Sequence, residues 1–187
     1  MVLMENQEPT VTAKKRLNLI GCVYYGDPFH SAEEWSQDNE IGGLWSRFMT
    51  LATTKYRSFM ETVAREPNVS YELHLEPDDY ADMKKYYVFV GIDAVEIANI
   101  PLEFFAKPLP MTQYLSFKTK GKGDEDAMRI ISKYVRSDTS EYIQKYPYIL
   151  QRYDESYKGF DNPESEIGWL VPVSPKSESG PRGGDHK

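Results

Sequence analysis

Hydrophobic and polar positions along this chain repeat with two periods, and the switches between them predict its elements. From Arg16 to Tyr25 both faces are apolar, with Leu17, Leu19, Gly21, Val23 and Tyr25 on one and Ile20, Cys22 and Tyr24 on the other; Gly26-Asp27-Pro28 ends this strand. Ile41, Leu44, Trp45, Phe48, Met49 and Ala52 then recur at helical spacing. Tyr56, Phe59, Met60 and Val63 carry the stripe to about Arg65, and Pro67 closes it. Val69 to Glu76 alternates: Tyr71, Leu73 and Leu75 face a core, while Glu72, His74 and Glu76 form a face that reads as solvated. Tyr86 to Ile92 is apolar on both faces, as in a central strand. Pro101, Pro108 and Pro110 mark residues 98–110 as a crossover loop without an element of its own.

The order then begins again. Met111 to Lys118 reads as a strand and Gly121-Lys122-Gly123 as a turn. Asp124 to Arg136 reads as a helix with Ala127, Ile130, Ile131, Tyr134 and Val135 inward. Tyr148–Glu155 and Glu166–Val173 read as two closing strands. Strand, helix, strand, strand thus occurs twice, which predicts an α+β fold of duplicated βαββ modules, about 16–97 and 111–173. Side by side, such modules make one antiparallel sheet with both long helices on one face. A ligand groove is expected between the modules, on the sheet face away from the helices. Residues 1–15 are expected to be a disordered lead-in and 174–187 a disordered tail.

Composition adjusts this picture in three ways. The net charge of −7 argues against direct nucleic-acid binding and mildly favours cationic partners. No run reaches the length of a transmembrane helix, the N-terminus lacks the pattern of a secretory signal, and the single cysteine, Cys22, sits in an apolar run. A cytoplasmic protein with a buried, inert thiol is expected. The 14 tyrosines, 8 phenylalanines and 3 tryptophans fit either an aromatic core or an aromatic-lined cleft.

Catalytic signatures are sparse. His30, His74 and His186 have no zinc-site spacing, and neither a phosphate-binding glycine loop nor a serine-hydrolase elbow occurs, so no metal, cofactor or catalytic residue is assigned.

Five segments, in order, resemble the GyrI-like small-molecule-binding family, which includes the effector-binding domains of AraC- and MerR-type multidrug-sensing regulators. They are IGGLWSRF (41–48), YYVFVGIDA (86–94), PLPMTQYLSF (108–117), ILQRYDE (149–155) and SEIGWLVPV (165–173). The resemblance implies an aromatic-lined pocket for bulky, hydrophobic and often cationic compounds. In its closing Phe-Glu-x-Tyr motif the family commonly places a glutamate that faces cationic ligands, and here that position is Gln151. An amide donates and accepts hydrogen bonds but carries no charge.

The candidate ligand-binding residues are therefore Gln151, Tyr153, Tyr87, Phe89, Tyr114, Tyr71, Trp45 and Trp169. From pattern alone, core packing is the stronger reading for both Trp45 and Trp169. The expected function is broad-specificity binding of hydrophobic or cationic small molecules. The lead-in is too short for a helix-turn-helix, so a stand-alone form is expected. Two alternatives stay open. One is hydrolysis of reactive small molecules in the same cleft, which Gln151 argues against unless Glu72, Glu76 or Glu103 substitutes. The other is binding of a protein partner, as a gyrase inhibitor does.

Overall fold

The computed structural model describes residues 8–28, 39–121 and 123–178. The strands are β1 (Thr10–Val11), β2 (Asn18–Gly26), β3 (Ser70–Leu75), β4 (Tyr86–Asp93), β5 (Phe105–Pro108), β6 (Gln113–Lys120), β7 (Tyr142–Gln144), β8 (Tyr148–Tyr153) and β9 (Glu166–Pro175). The helices are α1 (Glu40–Thr50), α2 (Arg57–Val63), α3 (Tyr80–Met83) and α4 (Asp124–Ile131). All nine strands form one antiparallel sheet in the order β1-β6-β9-β8-β3-β4-β2-β5, with β7 paired to β9. The expected α+β architecture is present: one module runs β2, α1–α2, β3, β4, the other β6, α4, β8, β9, and they join along β3 and β8. Among the described residues no helix is long and apolar enough to cross a membrane.

The helical stripe of the first module stays on the sheet because of a local irregularity. Asn39 caps α1, its Oδ1 accepting from the backbone N–H of Ile41 at 3.1 Å and Gly42 at 3.0 Å. Phe48 and Met60 are both buried against the sheet, yet twelve α-helical positions at ~3.6 per turn would set them roughly 120° apart. A π-helical turn over Leu51–Lys55 absorbs one extra residue and restores the facing. At the far end Arg65 Nε donates to buried Asp93 at 2.9 Å, tying the chain after α2 to β4.

The sheet is curled. From β1 to β2 is six strand spacings of ~4.8 Å, about 29 Å if flat, whereas the chain from Val11 to Asn18 reaches at most about 25 Å. Lys15 and Thr112 exchange backbone hydrogen bonds at 2.9 and 3.1 Å, and Leu109 N–H donates to Leu17 at 2.8 Å, so the two ends of the sheet are stitched together. The face away from the helices is consequently filled. Phe89, Leu73, Leu150 and Leu170 form a directly opposed row there and pack with Leu17, Leu19, Tyr71 and Tyr114.

This filling moves the expected groove: it opens on the helix side of the sheet, between the helices. Two further expectations change. Residues 98–110 contain β5, an edge strand ending at Pro108, where a missing N–H costs no ladder bond. The sheet also begins at Thr10, inside the expected lead-in, and β9 runs to Pro175, into the expected tail. The rest of those two expectations, residues 1–7 and 179–187, lies outside the described residues, as do His30 and His186.

Gly21 and Gly91 face each other across β2 and β4. A Cβ at Gly21 would sit 1.9 Å from the Val90 carbonyl oxygen, so the strands must part to admit one. Gly21→Ala is expected to cost about 2–3 kcal/mol in urea unfolding; wild-type stability would show that this approach is not tight.

Candidate functional site

One row of opposed side chains explains where the cleft lies. Cys22, Val90, Glu72, Gln151, Trp169 and Phe117 follow one another across the helix face of the sheet. The outer members are apolar and packed beneath α1 on one side and α4 on the other. The central two, Glu72 and Gln151, are polar, are each other's partners, and lie where the modules meet. A cleft of about 1200 Å³ opens above them, walled by Trp45 and Met49 of α1 and Met128 of α4.

Glu72 is 2% exposed. The Trp45 indole Nε1–H donates to its Oε2, and His74 Nε2 lies 2.6 Å from its Oε1. The expectation of a solvated face over Glu72, His74 and Glu76 is therefore corrected. Strands on both sides of β3 and the indole above cover position 72, His74 is partly exposed, and Glu76, beyond the strand end, is exposed. Alternation separates the two faces of a strand but does not say what lies over either.

Across the seam, Tyr153 O–H donates to Gln151 Oε1 at 2.5 Å. The Tyr153 ring stands edge-on to Trp45, with centroids 5.2 Å apart, and to Tyr157, at 4.8 Å. On the other side His74 lies 5.5 Å from the Tyr86 ring, which meets Tyr80 edge-on at 6.2 Å. The carboxylate thus lies between two aromatic groups. Burial first, and the Glu72 charge second, hold the Tyr153, Tyr86 and Tyr157 hydroxyls above the ordinary phenol range, so they stay neutral donors. Among the described residues no group of three or more His, Cys, Asp or Glu is placed to hold a metal.

Of the candidates named from sequence, Trp45, Gln151, Tyr153 and Trp169 line the cleft. Trp169 is mainly a floor residue, 3% exposed, stacked on Phe117 and donating to Thr119 Oγ1 at 2.8 Å. Tyr71, Phe89 and Tyr114 point the other way, into the core of the concave face. Tyr87 shares that side and is exposed beside Tyr25. The reason is parity, since each stands one residue from a helix-side position and one step in a strand reverses the side chain. Glu103 does not line the cleft; Lys55 holds it at 2.7 Å. Glu72, His74, Tyr86 and Tyr157 were missed as ligand-binding candidates. For Glu72 a signal existed: as the duplicated counterpart of Gln151, it is the other place for a cleft carboxylate.

No protein-family model matches the sequence, and no curated protein matches it. Solved structures do match in fold. SAV2435 bound to tetraphenylphosphonium superposes with a TM-score of 0.62 at 14% identity, over 90% of this chain and 94% of that one. The EcmrR C-terminal domain gives 0.55 at 9% identity, over 92% and 99%. A hydrolase from Listeria innocua gives 0.52 at 10% identity, over 92% and 94%. The shared fold agrees with the fold that the sequence resemblance implies.

The raised phenols give a pH dependence of stability. A phenol with a higher pKa folded than unfolded holds its proton more tightly when folded. Its contribution is complete below the unfolded value of about 10 and is lost as pH rises above it. Alkaline unfolding should therefore steepen above that value, and Tyr153→Phe should reduce the steepening; an unchanged profile would place Tyr153 in contact with solvent.

Proposed function

We propose that the chain binds bulky aromatic cations in this cleft, with Glu72 supplying the charge and Trp45, Tyr153 and Tyr157 the flat apolar walls. The observation that carries this reading is the buried carboxylate: among the described residues its ion-pair partner is the partly exposed His74. Removing a carboxylate from water costs several kcal/mol, and two N–H donors offset only part of that. A cation arriving over Glu72 offsets more. At ~4 Å and an effective dielectric constant of about 20 the attraction is roughly 4 kcal/mol, and each aromatic face adds about 0.5–2.

A diffuse onium ion suits the site because it sheds little hydration and needs no hydrogen-bond acceptor. Tetraphenylphosphonium, held by the fold neighbour SAV2435, is such an ion. The −7 charge of the chain would draw cations in from a distance. Stacking and apolar burial tolerate varied shapes, so breadth of ligand is part of the proposal. Both oxygens of Glu72 already meet nitrogen partners, which favours holding charge over activating water and sets the hydrolytic alternative second.

Tetraphenylphosphonium should quench tryptophan fluorescence saturably. Glu72→Gln should weaken binding by about 10- to 100-fold. Adding Gln151→Glu, which returns a carboxylate on the opposite strand, should recover part of the loss. Equal affinity in wild type and Glu72→Gln would overturn the proposal.

A further inference from the structure

His74 stands beside the proposed cation site, and the binding of a cation as described does not use it. It follows Glu72 by two on β3, so both side chains leave the same face. Its Nε2 is 2.6 Å from Glu72 Oε1, and its side chain is 31% exposed against 3% for Glu72. Facing a carboxylate, Nε2 carries the hydrogen and a second proton goes to Nδ1.

We infer that His74 is a specificity-determining residue, an exchangeable counter-cation of Glu72 whose protonation decides which ligand charge the cleft accepts. The inference rests on the cation-site reading above. With His74 neutral, the pair carries one negative charge and attracts a cation. With His74 protonated, the pair is neutral and an organic cation must displace the proton's charge before it gains anything. Proton and ligand then compete for one carboxylate, and by reciprocity ligand binding releases a proton.

The surroundings leave this competition to few groups. Glu72 shares β3 with His74, and Glu76 follows the end of that strand; Tyr86 of β4 packs against the His74 ring, and Tyr80 of α3 meets Tyr86 edge-on. Asp124 at the start of α4 is close enough to feel its charge. Among the described residues, Tyr148, Tyr153, Tyr157, Asp154 and Arg136 complete the ionisable lining of the cleft. Histidine is the side chain in this set that ordinarily changes charge between about pH 5 and 8.

The test uses two permanently charged isosteres, tetraphenylphosphonium and tetraphenylborate, titrated against the full chain and His74→Gln from about pH 5 to 8. Neither ligand titrates, so any slope belongs to the protein. Wild-type affinity for the phosphonium should rise about tenfold with pH, and calorimetry in buffers of different ionisation heat should show proton release. Tetraphenylborate affinity should fall or stay level. In His74→Gln, whose amide can still donate to Glu72, the phosphonium slope and the proton release should disappear.

A slope that survives in His74→Gln would assign the titration to Glu72 or Asp124 and overturn the inference, as would a wild type with no slope. Equal slopes for the two isosteres would point to a general loss of the cleft at low pH and also overturn it. Absence of phosphonium binding by either protein at every pH is a different result, one that removes the cation-site reading itself.

Discussion

The carboxylate of Glu72 is enclosed at the seam of two modules, in a row whose other members are five uncharged side chains. Burying a charge there is costly unless hydrogen bonds and counter-charge are brought to it. Trp45 brings one hydrogen bond from α1, so the carboxylate depends on where that helix lies. Asn39 sets its start, and the π-helical turn keeps its apolar stripe on the sheet as it runs into α2. His74 brings a partner from the same strand. The curl of the sheet fills its other face with core, which leaves the seam between the helices as the place where the cleft opens.

Duplication makes Glu72 and Gln151 counterparts, and the register sets them opposite each other. The two modules have nevertheless diverged at this position. One supplies charge, the other an amide that accepts from Tyr153 and so orients the aromatic wall. A neutral Gln151 is compatible with a cation site because its partner across the seam carries the carboxylate. Two carboxylates at these positions would repel each other in a buried setting.

Much of the fold was legible in the sequence because periodicity reports secondary structure directly. The stripe from Ile41 to Val63 and the apolar runs around Leu19, Val90 and Leu150 each gave their element, and repetition of their order gave the architecture. Less of the site was legible. Of the eight residues named from sequence, Trp45, Gln151, Tyr153 and Trp169 line the cleft, while Tyr71, Tyr87, Phe89 and Tyr114 lie on the other face. Side-chain parity depends on which face the helices cover, and that is settled by long-range closure between residues such as Lys15 and Thr112. Glu72 was hidden for the same reason: a polar residue alternating with Tyr71 and Leu73 has the pattern of a solvated face, and only the indole from α1 and the flanking strands bury it.

A crystal grown with tetraphenylarsonium addresses the central claim most directly, because the anomalous signal of arsenic marks the cation without reference to any mutation. The account predicts the arsenic above Glu72, between Trp45 and the Tyr153–Tyr157 pair. Arsenic on the opposite face, at the exposed Tyr25–Tyr87 pair, with the cleft over Glu72 left without it, would contradict the account.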